Sequence, residues 1–127
     1  MRFGIAVVLM GVAALSSHSV FAQGYSIEYK QCLNTSYSQT ATLKKCIDKE
    51  MKLQENFLTQ YYKKYLKDSE THQSNIEQQH QLWLNRVNQQ CYSKVTSAYV
   101  EVRQAKCVLE MTMERAYYYQ TKQIAYS

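Results

Sequence analysis

SNIEQQHQLWLNRVNQQCY, residues 74–92, is the stretch on which the fold turns. Ile76, His80, Trp83, Val87 and Cys91 recur every third or fourth residue. At 3.6 residues per turn they wind into one stripe along a helix. The chain's single tryptophan and one of its four cysteines therefore share a side. Most residues between them are Gln, Asn, Glu or Arg, the makings of a solvated face. Ser74 followed by Glu77 has the capping-box spacing that satisfies unpaired amides at a helix start, so this helix is predicted to begin there.

The pattern extends to both sides. Leu43, Ile47, Met51, Leu58, Tyr61, Tyr62 and Tyr65 predict a helix from about Thr42 to Lys67, with Gln54 and Lys64 pointing away from its apolar stripe. A polar connection, residues 68–73, makes it an antiparallel neighbour of the tryptophan helix. Beyond Cys91, Ser97 can cap a third helix running to about Gln120, with Val100, Gln104, Cys107, Met111 and Tyr118 in a stripe. Tyr25 to Gln39 fits either a short helix or an extended arm, held by Cys32. No glycine follows Gly24 and the chain has no proline, so the turns of a β-hairpin or β-sandwich are not supplied. The expected fold is all-α: a small disulfide-braced antiparallel bundle of three main helices with an N-terminal arm or short helix.

MRFGIAVVLMGVAALSSHSVFA, residues 1–22, has Arg2, an apolar run from Ile5 to Leu15 and small-residue cleavage chemistry ending at Ala22, the features of a secretory signal peptide. The run is too short for a membrane-spanning helix, which needs about 20 apolar residues. No cysteine follows the cleavage point, so no lipid anchor is expected. Cleavage leaves residues 23–127 as a single soluble domain, periplasmic or secreted, in which four cysteines predict two disulfides.

Fifteen basic and ten acidic residues give a net charge of +5, or +4 without Arg2. The two signs alternate along the helices, as on ordinary solvated faces, and no basic tract calls for nucleic acid. No cofactor is expected. Metal binding is not expected either, because no closely spaced Cys or His pair is present. The mature chain has two histidines, His72 in a polar connection and His80 on the core stripe. That is too few for a convincing catalytic constellation, and the chain is read as a non-enzyme.

With helices and cysteines placed, the sequence resembles the LprI-type lysozyme-inhibitor family of small secreted bacterial domains. The resemblance spans residues 32–115. It begins with Cys32 and with Thr40 and Cys46 in TATLKKC, and continues through Glu55, Leu58 and Tyr62. WLNRVNQQC resembles a family segment Q-x-x-W-x-x-x-R-x-x-x-C through Trp83 and Cys91. His80 stands at the glutamine position and Val87 at the arginine position, with Arg86 one residue early. CVLEMTMER supplies Cys107, Thr112 and Arg115 at the spacing C-x4-T-x-x-R. The family also has glycines between its third and fourth cysteines; SKVTSAYVEVRQAK has none, so the third helix is expected to start earlier here.

Four cysteines allow three connectivities. Pairing Cys32 with Cys46 and Cys91 with Cys107 closes two short loops, each worth about 3 kcal/mol in the chain-entropy model, and is favoured. Cys46 with Cys91 is the rival, since both lie at the same end of the antiparallel pair. Trp83 is expected to fill the core beside a disulfide, with a binding hot spot as the alternative. Arg115 is expected to anchor an ion pair with Glu55 or another carboxylate of the first long helix. Tyr117, Tyr118 and Tyr119 are consecutive, so at 100° per residue they cannot all face one core.

The resemblance implies a partner protein, a lysozyme, blocked at its cleft. Lysozyme chemistry uses two carboxylates, against which Lys63, Lys64, Lys67 or Arg86 could be set, with Tyr117 and Tyr119 as further contact residues. Opposing this, many lysozymes are strongly basic, and a basic inhibitor loses electrostatic steering toward them. The alternatives are a periplasmic immunity or accessory protein for a different effector or envelope partner, and a self-associating structural protein of the envelope.

Overall fold

The computed structural model describes residues 24–94 and 96–124; the signal-peptide expectation for residues 1–22 lies outside them. The described residues form four helices: α1 (Ile27–Thr35), α2 (Thr40–Asp68), α3 (Gln73–Cys91) and α4 (Ala98–Ile124). Among the described residues there is no strand, as a chain without turn glycines or proline implies.

The segment before Thr40 is a helix. Ser26 caps it by accepting from the Tyr29 amide at 3.0 Å. The turn from α1 to α2 is tight, and Tyr37 and Ser38 both adopt positive φ, 50° and 61°. Such a conformation costs a residue with a Cβ roughly 1–2 kcal/mol. The turn is held on either side by the Ser36 hydroxyl donating to the Leu33 carbonyl and by the Gln39 amide donating to the Ser36 carbonyl.

At the start of α3 the expected capping box does not form. His72 is the N-cap, without a side-chain bond, and Ser74 lies inside the helix. The peptide turns through Ser69, whose carbonyl accepts from the His72 amide, so helical geometry begins before Ser74 can cap it. Ser97 does cap α4, accepting from the Val100 amide at 3.2 Å.

Helices α1 and α2 are antiparallel: Cys32 pairs with Cys46, Ser26 meets Glu50, and Gly24 meets Gln54. Helices α3 and α4 are antiparallel as well, through Cys91 with Cys107 and His80 with Tyr119. The molecule is thus two helical hairpins, each closed by one disulfide. They meet along α2 and α4, which run in the same direction: Ile47 and Leu109 share one core cluster, Leu58 and Met111 pack against another, Tyr65 meets Tyr119, and the Gln123 side-chain amide donates to the Tyr61 carbonyl.

The core falls into two clusters on either side of this parallel pair. Tyr29, Cys46, Ile47 and the fully buried Leu109 form one under α1. Trp83, Val87 and Cys91 form the other under α3, packed against Leu58, Val108 and Met111. In the second, the Met111 sulfur lies 3.5 Å from the Cys91 sulfur.

Gln54 is buried at 1% exposure, contrary to the expectation that it points away from the stripe. Its amide donates to the Gly24 carbonyl. Glu50, one turn earlier, is equally buried and accepts from the amide and hydroxyl of Ser26 at 2.9 and 2.8 Å. The start of α1 lies over this part of α2 and brings backbone polar groups with it, which polar side chains must satisfy.

Candidate functional site

The chemistry of this chain concentrates where the second half of α2 meets the first half of α3 and the last turns of α4. The stripe that put His80 on the inner face of α3 stacks it on Tyr62, with ring centroids 4.2 Å apart and planes 17° from parallel. Its Nδ1 lies 2.8 Å from the Tyr119 hydroxyl. Tyr119 is buried at 1% exposure and packs against Tyr62, Tyr65, His80 and Tyr118. It is the buried member of the tyrosine triplet and offers no surface for a partner, whereas Tyr117 and Tyr118 are exposed. The α4 stripe accordingly runs through Leu109, Thr112, Ala116 and Tyr119, displaced from the one that would have buried Tyr118.

Arg115 makes no ion pair with Glu55. Among the described residues the one salt bridge joins Lys44 and Asp48 on α2. Glu55 is exposed and borders a cleft with Lys44, Asp48 and Glu101, far round α2 from Arg115. The guanidinium instead sits among aromatic rings, 4.4 Å from the Tyr118 centroid, 4.9 Å from Tyr119 and 6.0 Å from Trp83. Ring quadrupoles attract a cation at such distances. The Arg115 Nε is buried without a partner.

The Tyr119 hydroxyl donates to His80 Nδ1 or accepts from it according to which ring nitrogen carries the proton. Burial first, and the Arg115 charge second, hold the His80 pKa below its ordinary value. Burial also raises Tyr119, opposed by the hydrogen bond and charge of Arg115, and raises Tyr62, with a smaller push from Glu77.

The sign for stability follows from linkage. A histidine with a depressed folded pKa binds its proton more readily when unfolded, so its contribution is present above the unfolded pKa of about 6.5 and is lost as pH falls toward the folded value. Chemical-denaturation stability is expected to decline below about pH 6.5 with a slope of at most one proton, and His80→Gln should remove that segment of the profile. An identical profile in the variant would dissociate His80 from it.

Two grooves flank Arg115 and share it with Tyr118. One, of about 200 Å³, is bordered by Tyr65, Asn75 and Gln79; the other, of about 320 Å³, by Trp83, Arg86 and Glu114. Trp83 is 6% exposed and acts as packing, its ring closing the second core cluster. Arg86 is exposed beside it. Thr112 is buried, Leu58 and Tyr62 are half-buried, and Thr40 is the first residue of α2.

Lys63, Lys64 and Lys67 are exposed near the end of α2. The structure therefore brings Tyr62, Trp83 and Arg115 into one neighbourhood around His80, with Thr112 buried one turn before Arg115 on α4. Sequence periodicity missed Glu50, whose burial could only have been inferred by knowing that α1 folds back over it.

Among the described residues no group of three or more His, Cys, Asp or Glu could hold a metal ion, and all four cysteines are in disulfides. No helix among them is long and apolar enough to cross a membrane. The arrangement provides a rigid surface, mixing exposed cations with tyrosine edges, of the kind that binds protein. A family model described as lysozyme inhibitor LprI matches residues 22–118. Neither a curated protein nor a solved structure matches the chain.

Proposed function

The chain belongs to the LprI lysozyme-inhibitor family, and from that premise we propose that it is a secreted protein that binds a lysozyme and blocks its cleft. The observation that carries this reading is the family match across nearly the whole described chain. The signal-like residues 1–22 and the two disulfides support delivery to the periplasm or the exterior.

The contact surface we assign is the exposed face near the end of α2. Lys63, Lys64 and Lys67 lie within about one turn of each other on a rigid helix, and no ion pair within the described residues occupies them. A lysozyme cleft presents two carboxylates, and an ammonium placed between them both neutralises and obstructs them. Tyr117 and Arg86 are exposed on neighbouring helices and extend the surface.

The oxidised protein is expected to slow cell-wall lysis by a lysozyme in a saturable way. Reversing all three lysines to glutamate should weaken inhibition about tenfold or more, equivalent to roughly 1.4 kcal/mol. Undiminished lysis by every lysozyme type tried would sink the inhibitor reading. Inhibition of full potency by the triple variant would remove this surface from it.

A further inference from the structure

Glu50, which lines the cleft between α1 and α2, has a polar atom to which the fold gives no partner. The residue is 3% exposed. Its Oε2 accepts both bonds from Ser26, while its Oε1 is buried with none. A buried acceptor left empty costs about 1–3 kcal/mol, and more when charged. Holding Ser26 does not require this, because a glutamine carbonyl at the same place would accept the same bonds with no charge to bury.

The surroundings narrow what would satisfy that oxygen. The cleft is about 340 Å³, open to the surface, and walled by the Tyr29 ring, Leu53 and the Cys32–Cys46 disulfide. Leu53 is 39% exposed at its rim. Acidic side chains dominate the charge: Glu28 and Glu50 line the cleft against Lys49 alone, and Glu110 of α4 acts on its edge. Burial, and then the charges of Glu110 and Glu50, raise the Tyr25 pKa; Tyr29 is raised by burial and by its neighbours Tyr25, Glu50 and Glu110. An anion is therefore repelled, and a purely apolar group leaves the carboxylate oxygen empty. A long apolar stem ending in a charged donor meets both demands.

We propose that this cleft is a socket for a lysine or arginine side chain of the protein partner. The proposal rests on the reading above that the chain binds protein, and it answers the charge difficulty in that reading, since a basic lysozyme carries many such side chains. Leu53 and Lys67 lie on the same exposed side of α2, about 20 Å apart at 1.5 Å per residue. One interface of ordinary size covers both. The partner's carboxylates would meet the lysines at one end while one of its basic side chains enters the socket at the other.

The test needs no lysozyme. The full oxidised protein is titrated with Nα-acetyl-lysine N-methylamide, and with the norleucine analogue that keeps the stem but lacks the ammonium, while the Ser26 and Tyr29 amides are followed by NMR. The lysine compound should shift both saturably, with a Kd in about the millimolar range, and norleucine should bind at least about tenfold more weakly. Glu50→Gln should weaken lysine binding by a similar factor, its melting temperature verifying that it folds. Lys49→Ala, at an exposed position, should strengthen binding by removing a competing cation, and decides the matter should the Glu50 variant not fold. Equal binding of norleucine, no response at Ser26, or indifference to the Lys49 change would overturn the socket. A lysozyme-inhibition assay that succeeds while this titration fails overturns the socket alone; the reverse outcome keeps the socket and overturns lysozyme as its partner.

Discussion

Replacing Tyr119 by alanine is expected to destabilise the protein by about 3–5 kcal/mol, the range for removing a large buried aromatic ring. Tyr119 is 1% exposed, and its ring touches those of Tyr62, Tyr65, His80 and Tyr118 while also lying under the Arg115 guanidinium. Three helices lose a common neighbour at once, so little collapse can fill the space. Tyr119→Phe separates the hydroxyl from the ring. It keeps the packing but leaves His80 Nδ1 without its partner oxygen, and should cost about 1–3 kcal/mol. Urea denaturation of both variants checks the pair of values. A phenylalanine variant as stable as the parent would show that the Tyr119–His80 hydrogen bond contributes nothing net.

Replacing Cys91 and Cys107 together by alanine is expected to cost about 2–5 kcal/mol. The loop they close contributes about 3 kcal/mol through the unfolded chain. The remainder comes from the folded state, where Cys91 is 6% exposed between Trp83, Val87 and Met111. Because Trp83 belongs to this cluster, its fluorescence should report a loosened environment before global unfolding. Replacing Cys32 and Cys46 loses a similar entropic term but lies in the other cluster, so the tryptophan signal should be insensitive to it below the main transition. A loss smaller than about 0.5 kcal/mol for the Cys91–Cys107 pair would mean that packing alone holds α3 to α4.

Helix existence and type were legible in the sequence wherever one side of a helix faces one partner. Ile76, His80, Trp83, Val87 and Cys91 are such a case, and all of them lie toward the interior. Periodicity did less well on α4, because that helix packs along α2 on one side and against α3 on another. Its buried stripe includes Thr112 and shifts to Tyr119, a register that hydrophobicity alone does not select. Glu50 and Gln54 were illegible for a related reason: polar residues in a helix interior are predicted outward unless one knows what polar backbone will be laid against them. Arg115 was recognisable as a fixed position through family spacing, but a single sequence does not say whether a half-buried cation meets a carboxylate or a set of rings. That choice was made by α3 presenting Trp83 and His80 where a carboxylate would have been needed.

The parallel run of α2 and α4 has a kinetic consequence. Parallel neighbours cannot be joined by a tight turn, so every contact between these two helices closes a loop of several tens of residues, whereas each hairpin closes through a short one. Local contacts form first when loop closure dominates the barrier. The first hairpin has both of its cysteines, Cys32 and Cys46, in hand before Cys91 has been synthesised. On the proposed route of export, a chain emerging N-terminus first would oxidise its halves one after the other with no foreign thiol yet available, and docking along α2 and α4 would be the final event, an assembly of two finished parts.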